Sequence, residues 1–302
     1  MILGAIEAGG TKFVCATSDQ HKRNINKIRI STTDPQTTLN QVVEFFQTQA
    51  RELGPIDGMG IASFGPIVVD PHSDDYGKIY STPKPNWSGI NLRKEIEARL
   101  GVRTKIDSDV NGAALAEGRF GAARGFQNYC YMTVGTGIGV GVVQFWQRLL
   151  TSNHTELGHL RVPRAPGDEY PGNCPYHGDC VEGLACGPAI EDRWGMSPKE
   201  IPADHPAWEM EAHYIAAICN NLIYSVRPER IIIGGGVFEQ GFLLPMVRRT
   251  LGKMLNGYAL SKSEQDLETF LIPPGLVDVA PGLLGALEMA SYAAAERPLA
   301  ER

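Results

Sequence analysis

The sequence predicts a duplicated α/β fold, in which two lobes of similar build each carry a glycine-rich turn. The chain has 302 residues, about twice the length of a common single domain. Its 34 glycines fall in clusters, as expected of loops that approach a ligand closely. Each half opens with an apolar strand, a glycine turn and a second strand, at residues 2–8 and 11–16 and again at 129–134 and 138–143.

The remaining elements alternate in the way that α/β proteins show. A helix opening at Asp34-Pro35 has apolar residues at helical spacing, and a second helix at 91–100 ends at Gly101. Further strands are predicted at 25–30, 59–64, 102–106 and 230–233, and further helices at 206–226, 242–255 and 283–295. We therefore expect an N-terminal lobe of residues 1–108, a larger C-terminal lobe of residues 109–282, and a last helix, about 283–302, packed on the first lobe.

The composition excludes several classes of protein. Hydrophobic residues make up 43% and charged residues 21% of the chain, and the net charge is −6. Binding of nucleic acid or of an anionic membrane surface is therefore not expected, and no apolar run approaches the roughly 20 residues that span a bilayer. Six cysteines are too few for a disulfide scaffold. The first residues lack the features of a signal peptide, so we expect a cytoplasmic protein.

Two glycine turns have the composition of phosphate-binding loops. The segment Gly9-Gly10-Thr11-Lys12 offers backbone N–H groups, a hydroxyl and an ammonium to an anion. The segment Gly135-Thr136-Gly137 lies at the matching place in the second half. The first turn lacks the GxxxxGK(S/T) spacing of a P-loop. A strand rather than a helix follows it, which excludes the dinucleotide-binding fingerprint. Two such turns facing one cleft would suit a polyphosphate tail, whereas one alone can also be an ordinary hairpin turn.

A third glycine cluster, Gly234-Gly235-Gly236, ends a predicted buried strand. Ligands of open α/β sheets bind beyond the carboxyl ends of strands. This backbone and the residues up to Gln240 could therefore pass over an adenine or a ribose. The alternative is a tight contact between the end of a strand and a helix.

Asp109 follows another predicted strand and leads into a helix rich in small residues. The partial positive charge of a helix N-terminus keeps a nearby carboxylate ionised. Asp109 could then accept the proton of an attacking hydroxyl, and Asn111 could orient that hydroxyl. In the alternative, Asp107 or Asp109 only caps the helix.

A cluster of histidine and cysteine residues has the ligand set of a closed tetrahedral zinc site. Its members are His159, Cys174, His177 and Cys180. We expect a zinc-binding insert at residues 159–180, the alternative being two free thiols in a loop. Glu156 and Glu182 flank this insert, and a carboxylate with two acceptor oxygens suits sugar hydroxyls. The alternative is that Glu156 and Glu182 are only solvated charges on the protein surface.

These segments together resemble the ROK family of sugar kinases, in its zinc-containing bacterial fructokinase branch. The resemblance runs over nearly the whole chain, and its other motifs are Ser63-Phe64-Gly65-Pro66-Ile67, Thr82-Pro83-Lys84-Pro85-Asn86-Trp87 and Gly187-Pro188. It implies an actin-like, ribonuclease-H-like duplicated ATPase fold with two lobes around a cleft. It also implies phosphorylation of D-fructose by ATP to D-fructose 6-phosphate, with Asp109 as general base, Mg²⁺ with ATP, a structural Zn²⁺ and a homodimer. Glucose, mannose or another hexose is the alternative substrate.

The resemblance also assigns residues to the two substrates. Sugar binding is assigned to Gly65, Asn86, Asn111, Glu156, His159 and Glu182. The third glycine cluster, Gly234 to Gly236, resembles the adenosine segment of the family. ATP binding is assigned to the two phosphate turns, to this adenosine segment and to residues near them, namely Gly10, Thr11, Lys12, Thr133, Gly135, Thr136, Pro188, Gly235, Gly236, Val237 and Gln240. The zinc ligands are the four residues of the histidine–cysteine cluster.

The chain departs from the pattern of the family at three places. Glu7 stands where many relatives have aspartate, which bears on how Mg²⁺ is held. The zinc loop is Cys-x2-His-x2-Cys rather than the commoner Cys-x-Cys with a further cysteine. Bulky residues without glycine occupy positions 144–152, where relatives have a hairpin turn.

Two other classes of protein are alternatives to a kinase: a sugar-sensing regulator, and a hydrolase or chaperone ATPase. A sugar-sensing regulator without enzymatic activity would need a DNA-binding segment, and only eight residues precede Gly9. A hydrolase or a chaperone ATPase of the same fold would not require the histidine–cysteine cluster. Both observations favour the kinase.

Overall fold

The computed structural model of this chain describes residues 1–22, 25–82, 84–145, 147–148, 154–258, 260–276 and 280–296. It divides into two compact units, one of Met1–Ala116, Arg148–Thr155 and Leu276–Arg302 and the other of Glu117–Gln147 and Glu156–Gly275. The first division falls after residue 116, inside a helix, whereas the predicted lobe limit lies at the start of that helix, after residue 108. The predicted lobe limits stay predictions.

The first unit contains a five-stranded mixed sheet in the order β3-β2-β1-β4-β5. Its strands are β1 (Ile2–Ala8), β2 (Lys12–Asp19), β3 (Asn26–Ser31), β4 (Ile56–Ser63) and β5 (Thr104–Ser108). Strands β1 to β3 pair antiparallel, while β1, β4 and β5 run parallel to one another. The carboxyl ends of these three parallel strands therefore meet at one edge of the sheet, which is where ligands of such sheets bind.

The helices of this unit begin and end where the sequence signals predict. Helix α1 (Pro35–Leu53) begins after Asp34, whose side chain accepts a hydrogen bond from the backbone N–H of Thr37. Helix α2 (Leu92–Leu100) ends at Gly101, which is left-handed with φ 65°. Helix α3 (Asp109–Phe120) follows β5 directly, so its first turn lies at the ligand-binding edge of the sheet.

The second unit repeats the topology of the first. Its strands are β6 (Tyr129–Val134), β7 (Ile138–Gln144), β8 (Gln147–Arg148), β9 (Arg230–Gly234) and β10 (Leu271–Ile272). They form a five-stranded sheet in the order β8-β7-β6-β9-β10. Strands β6 and β7 pair antiparallel around a glycine turn, and β6, β9 and β10 run parallel, as do β1, β4 and β5. This correspondence is the structural form of the internal duplication that the sequence predicts.

Several short elements of the second unit have no signal in the sequence. They include two 3₁₀ turns (Leu157–His159 and Gly236–Glu239) and the helices α4 (Val181–Ala185) and α5 (Gly187–Trp194). The longer helices α6 (Ala207–Val226) and α7 (Leu243–Leu255), which the sequence does predict, come next in the chain. A further short helix without a sequence signal, α8 (Leu267–Phe270), follows them. Elements of one or two turns are too short to show the apolar periodicity on which sequence reasoning depends.

The last helix, α9 (Pro281–Ala295), packs on the sheet of the first unit. A Cβ at Gly60 of β4 would overlap the carbonyl oxygen of Ala286, so this close approach requires glycine. The predicted continuation of the helix over 297–302 lies outside the described residues, as do positions 146 and 149–152 of the unusual segment. None of the helices in the described part of the chain combines the length and the apolar composition that a bilayer span needs.

Candidate active site

The first phosphate turn of the sequence borders a cavity of about 430 Å³ in the first unit. The turn is closed by a hydrogen bond of 3.0 Å from the backbone N–H of Gly9 to the carbonyl oxygen of Lys12. The lining includes Gly10, Thr11 and Lys12 together with the carboxylates of Glu7 and Asp109. The groups predicted to bind phosphate and two carboxylates therefore share one cavity at the carboxyl ends of β1 and β5.

The two carboxylates of this cavity have perturbed titration behaviour. Burial raises the pKa of Asp109 to about 6, although the backbone N–H of Val110 donates to this carboxylate and opposes the shift. Burial also raises the pKa of Glu7, to which the neighbouring charge of Asp109 adds, while Lys12 lowers it. At neutral pH Asp109 is ionised with a pKa close to that of an efficient general base. Oxygen ligands of this kind are also what Mg²⁺ prefers.

Neither Asp107 nor Asp109 caps helix α3, so the capping alternative drawn from the sequence is wrong. The hydroxyl of Ser108 accepts a hydrogen bond of 3.2 Å from the backbone N–H of Asn111 and fills that role. Asp107 instead accepts a hydrogen bond of 2.8 Å from the side-chain amide of Asn111. Asp109 lies in the lining of the cavity. Sequence spacing missed Ser108 because three neighbouring residues, Asp107, Ser108 and Asp109, are all good caps.

The predicted sugar residues Gly65 and Asn86 lie in the long connection between β4 and α2. Trp87 anchors this connection, because its indole N–H donates to the carbonyl oxygen of Thr33 at 2.8 Å and its ring packs on the rings of two phenylalanines. The connection also touches the phosphate turn, since a Cβ at Gly10 would lie 2.6 Å from Cε of Lys84. Lys84 therefore places an ammonium near the turn, a contact that no local pattern indicates.

In the second unit the second glycine turn lies among the other predicted nucleotide residues. The backbone N–H of Gly135 donates to the carbonyl oxygen of Gly137 at 2.9 Å and closes the turn. The N–H of Gly187, which precedes Pro188 at the start of α5, donates to the carbonyl oxygen of Gly135 at 2.7 Å. Thr133 pairs with Gly234 across β6 and β9. Three segments far apart in sequence thus meet at one place.

A second cavity of about 430 Å³ lies beside the adenosine segment. It is lined by Gly235 and Gly236 and by the apolar side chains of Phe238, Pro273 and Pro274. A mainly apolar cavity with exposed backbone fits a flat base. The predicted residues Val237 and Gln240 are not in its lining, because Val237 is buried and the Gln240 amide donates to a backbone carbonyl. The two prolines were missed because they come from a distant part of the chain.

The structure brings the four predicted metal ligands together. The ligand atoms of His159, Cys174, His177 and Cys180 all lie within 4.8 Å of one another. Nδ1 of His159 is 3.4 Å from Sγ of Cys180 and 3.7 Å from Sγ of Cys174, and Nδ1 of His177 is also 3.7 Å from Cys174. Tetrahedral zinc with ordinary bond lengths separates neighbouring ligand atoms by about 3.3–3.8 Å. The donor set and its spacing therefore fit zinc.

The carboxylate of Glu182 lies between this centre and the second phosphate turn. Its Oε1 is 3.8 Å from Nε2 of His159, the ring nitrogen turned away from the sulfurs. Its Oε2 accepts a hydrogen bond of 2.9 Å from the backbone N–H of Ile138. Glu156 is exposed at the start of the 3₁₀ turn that carries His159. The imidazole and the two carboxylates predicted to bind sugar are thus carried by one small region.

The predicted site residues form two groups, each within one unit. The first unit holds Gly10, Thr11, Lys12, Gly65, Asn86, Asp109 and Asn111. The second unit holds Thr133, Gly135, Thr136, Glu156, His159, Cys174, His177, Cys180, Glu182, Pro188, Gly235, Gly236, Val237 and Gln240.

Known proteins resemble this chain over nearly its full length. The family model of the ROK family matches residues 3–292. A fructokinase of Pediococcus pentosaceus is 43% identical over 97% of this chain and 99% of its own length, and a fructokinase of Zymomonas mobilis is 41% identical over 96% of each. The crystal structure of a ROK hexokinase from Thermus thermophilus superposes with a TM-score of 0.77 at 25% identity, covering 97% of this chain and 98% of that one. The predicted duplicated actin-like fold is confirmed, and the chain belongs to the ROK family.

Proposed function

We propose that this protein is an ATP-dependent fructokinase that converts D-fructose to D-fructose 6-phosphate. The observation that carries the proposal is full-length similarity to relatives named fructokinase, at 43% and 41% identity. The cavity that joins Asp109 to the first phosphate turn supports it, because phosphoryl transfer needs a proton acceptor beside the bound phosphates.

Asp109 acts as the general base in this proposal. Its carboxylate accepts the proton of the sugar O6 hydroxyl as oxygen bonds to the γ-phosphorus and the bond from that phosphorus to ADP breaks. The carbonyl oxygen of Asn111 orients the hydroxyl, while Lys12 and the amides of its turn neutralise phosphate charge. Mg²⁺ bound with ATP supplies further charge neutralisation, and Glu7 would hold it.

The second unit carries the pocket proposed for the nucleotide base and a group of side chains proposed to bind sugar. The adenine and ribose occupy the cavity beside Gly235 and Gly236, and the turn at Gly135 and Thr136 binds phosphate. Within this unit, the sugar hydroxyls bind the carboxylates of Glu156 and Glu182 and Nε2 of His159. Gly65 and Asn86 of the first unit stay predicted sugar-binding residues.

The histidine–cysteine centre is proposed to hold a structural Zn²⁺. The four protein ligands would complete tetrahedral coordination of a zinc ion and would leave no position for a reactive water. Its role is to fix the insert at 159–180, whose ends carry the two glutamates. A homodimer and a cytoplasmic location stay predictions.

A coupled assay of ADP release over a panel of hexoses tests this proposal. We expect kcat/KM to be highest for fructose over glucose, mannose and N-acetylglucosamine, because buried acceptors matched to one hydroxyl pattern are left unpaired by another. A higher kcat/KM for glucose would overturn the fructose assignment alone. Absence of ADP release with every hexose would overturn the kinase assignment.

A further inference from the structure

Glu182 makes a contact that sugar binding does not require. One carboxylate oxygen accepts the hydrogen bond from the backbone N–H of Ile138 at 2.9 Å, across 44 residues of sequence. Ile138 is the first residue of β7 and directly follows the second phosphate turn. A charged acceptor on a backbone N–H forms a stronger hydrogen bond than a neutral one. Glu182 therefore fixes the point at which the chain leaves the turn.

Glycine residues allow this contact to be close. A Cβ at Gly137, inside the turn, would lie 2.6 Å from Oε2 of Glu182. A Cβ at Gly158 would overlap the carbonyl oxygen of Ile138. The N–H of Ile138 is thus bound by Glu182 of α4, and its carbonyl oxygen lies against the 3₁₀ turn of His159.

The same two elements carry ligands of the histidine–cysteine centre. Cys180 is the N-cap residue of α4, two positions before Glu182, and His159 ends the 3₁₀ turn. Nδ1 of His159 faces the sulfur of Cys180 at 3.4 Å, while Nε2 faces Glu182 at 3.8 Å. A carboxylate beside the outer nitrogen of a ligating histidine is a common way to orient that ligand.

A metal ion would therefore restrain both of the elements that contact Ile138. Helix α4 has five residues, too few to be stable without tertiary contacts. A bond from the metal to Cys180 fixes its N-terminus, and a bond to His159 fixes the 3₁₀ turn. The restraint reaches the phosphate turn through one carboxylate.

We propose that Glu182 is a positioning residue that couples metal loading of the histidine–cysteine centre to nucleotide binding at the Gly135–Gly137 turn. The proposal rests on the proposed function, because it takes ATP as the ligand of that turn and zinc as the metal. Loading the centre preorganises the turn and so removes part of the ordering cost of nucleotide binding. Nucleotide affinity then depends on zinc even when no sugar is present.

Calorimetric titration of ATP with Mg²⁺ in the absence of sugar tests the coupling in the full chain. The titration is made on protein with measured zinc content, on protein stripped with a zinc chelator and returned to magnesium buffer, and on stripped protein reloaded with zinc. We expect stripping to weaken ATP affinity by about 5-fold to 100-fold, the range of ordinary coupling between sites. Reloading should restore the affinity.

Two variants of the carboxylate separate positioning from a general loss of structure. Glu182→Ala should bind ATP as weakly as stripped wild type, keep its zinc, and show no further loss on stripping. Glu182→Gln should keep most of the wild-type behaviour, because its carbonyl oxygen can accept from Ile138. Glu169→Ala, which removes an exposed carboxylate of the same insert, is the matched control and should respond to zinc as wild type does.

Unchanged ATP affinity of folded stripped protein would overturn the proposal, as would an equal loss on stripping in wild type and Glu182→Ala. If the stripped protein unfolds, the test is the ATP affinity of the zinc-loaded Glu182→Ala variant. An affinity equal to that of the zinc-loaded wild type would overturn the proposal. Loaded wild type that binds no ATP overturns the proposed function as well. An ATP affinity that does not depend on zinc overturns this inference but does not contradict the proposed function.

Discussion

The side-chain amide of Asn111 donates a hydrogen bond of 2.8 Å to Oδ1 of Asp107, and both residues are buried. The same carboxylate oxygen accepts from the backbone N–H of Ser108 at 2.7 Å. The hydrogen bond from Asn111 to Asp107 fixes the orientation of the amide group, and with it the position of the carbonyl oxygen of Asn111, which is the acceptor proposed for a sugar hydroxyl. Asp107 thus fixes the orientation of a residue that lies two positions from the proposed base.

Asp109→Asn should lower kcat by about 10²-fold to 10⁴-fold, the usual contribution of a positioned general base. The amide keeps the size and most contacts of the side chain but cannot accept the hydroxyl proton. Steady-state kinetics with saturating fructose and ATP measure the effect, and circular dichroism checks the fold. Turnover near the wild-type rate would show that Asp109 is not the base.

The pH profile of kcat/KM should fall on the acid side of about pH 6. The pKa of Asp109 lies at about 6 because burial disfavours its charged form, and only the ionised carboxylate can accept a proton. Below that value the rate should drop about tenfold per pH unit. Unfolding measured at each pH controls for acid denaturation. A profile that is flat down to pH 4.5 would contradict the shifted pKa.

Asp109→Asn should also make the protein more stable at neutral pH. The pKa of aspartate is about 3.9 in an unfolded chain and about 6 at Asp109 in the folded one. Between these values the folded state binds more protons, so stability falls as pH rises from about 4 to 6 and stays lowered above. Thermal unfolding should show a higher midpoint for the variant at pH 7.5, with little difference near pH 4. The exposed Asp204→Asn is the control and should change neither value.

Cys174→Ser should remove the metal and weaken the enzyme. We expect about one zinc per chain in the wild type and much less in the variant, because serine is a poor zinc ligand. KM for the hexose should rise and kcat should fall, together by about tenfold or more in kcat/KM. Elemental analysis and steady-state kinetics measure both effects. Cys186 is a buried thiol outside the centre, so the control variant Cys186→Ser should keep its zinc. Full activity of Cys174→Ser without zinc would refute the structural role of the metal.

Gly235→Ala should destabilise the second unit and raise KM for ATP. The backbone of Gly235 has φ +97°, and an added Cβ would overlap the carbonyl oxygen of Val134, so we expect a cost of about 1–3 kcal/mol. Gly241→Ala is the matched control, because Gly241 lines the same cavity and its Cβ would meet open space. The control should change stability by less than about 0.5 kcal/mol. Equal stability of the two variants, measured by denaturant unfolding, would contradict the prediction.

The sequence by itself determined the long helices, the duplication and the strands other than the two-residue β8 and β10, because their signals are local. Alternating apolar residues, the capping residue Asp34 and the terminal glycine Gly101 act within a few positions of the chain. The family motifs are also contiguous, so the ROK resemblance could be recognised from the sequence. The spacing of the four histidine and cysteine residues was sufficient to propose their cluster.

Only the tertiary structure decided which distant segments meet. Pro273 and Pro274 join the adenosine cavity, and Glu182 reaches Ile138 across 44 residues. Ser108 rather than either neighbouring aspartate caps α3, because the direction of each side chain depends on how β5 enters the helix. Such contacts depend on close approach between packed elements, and periodicity along a single chain contains no information about the neighbour that packing brings to each residue.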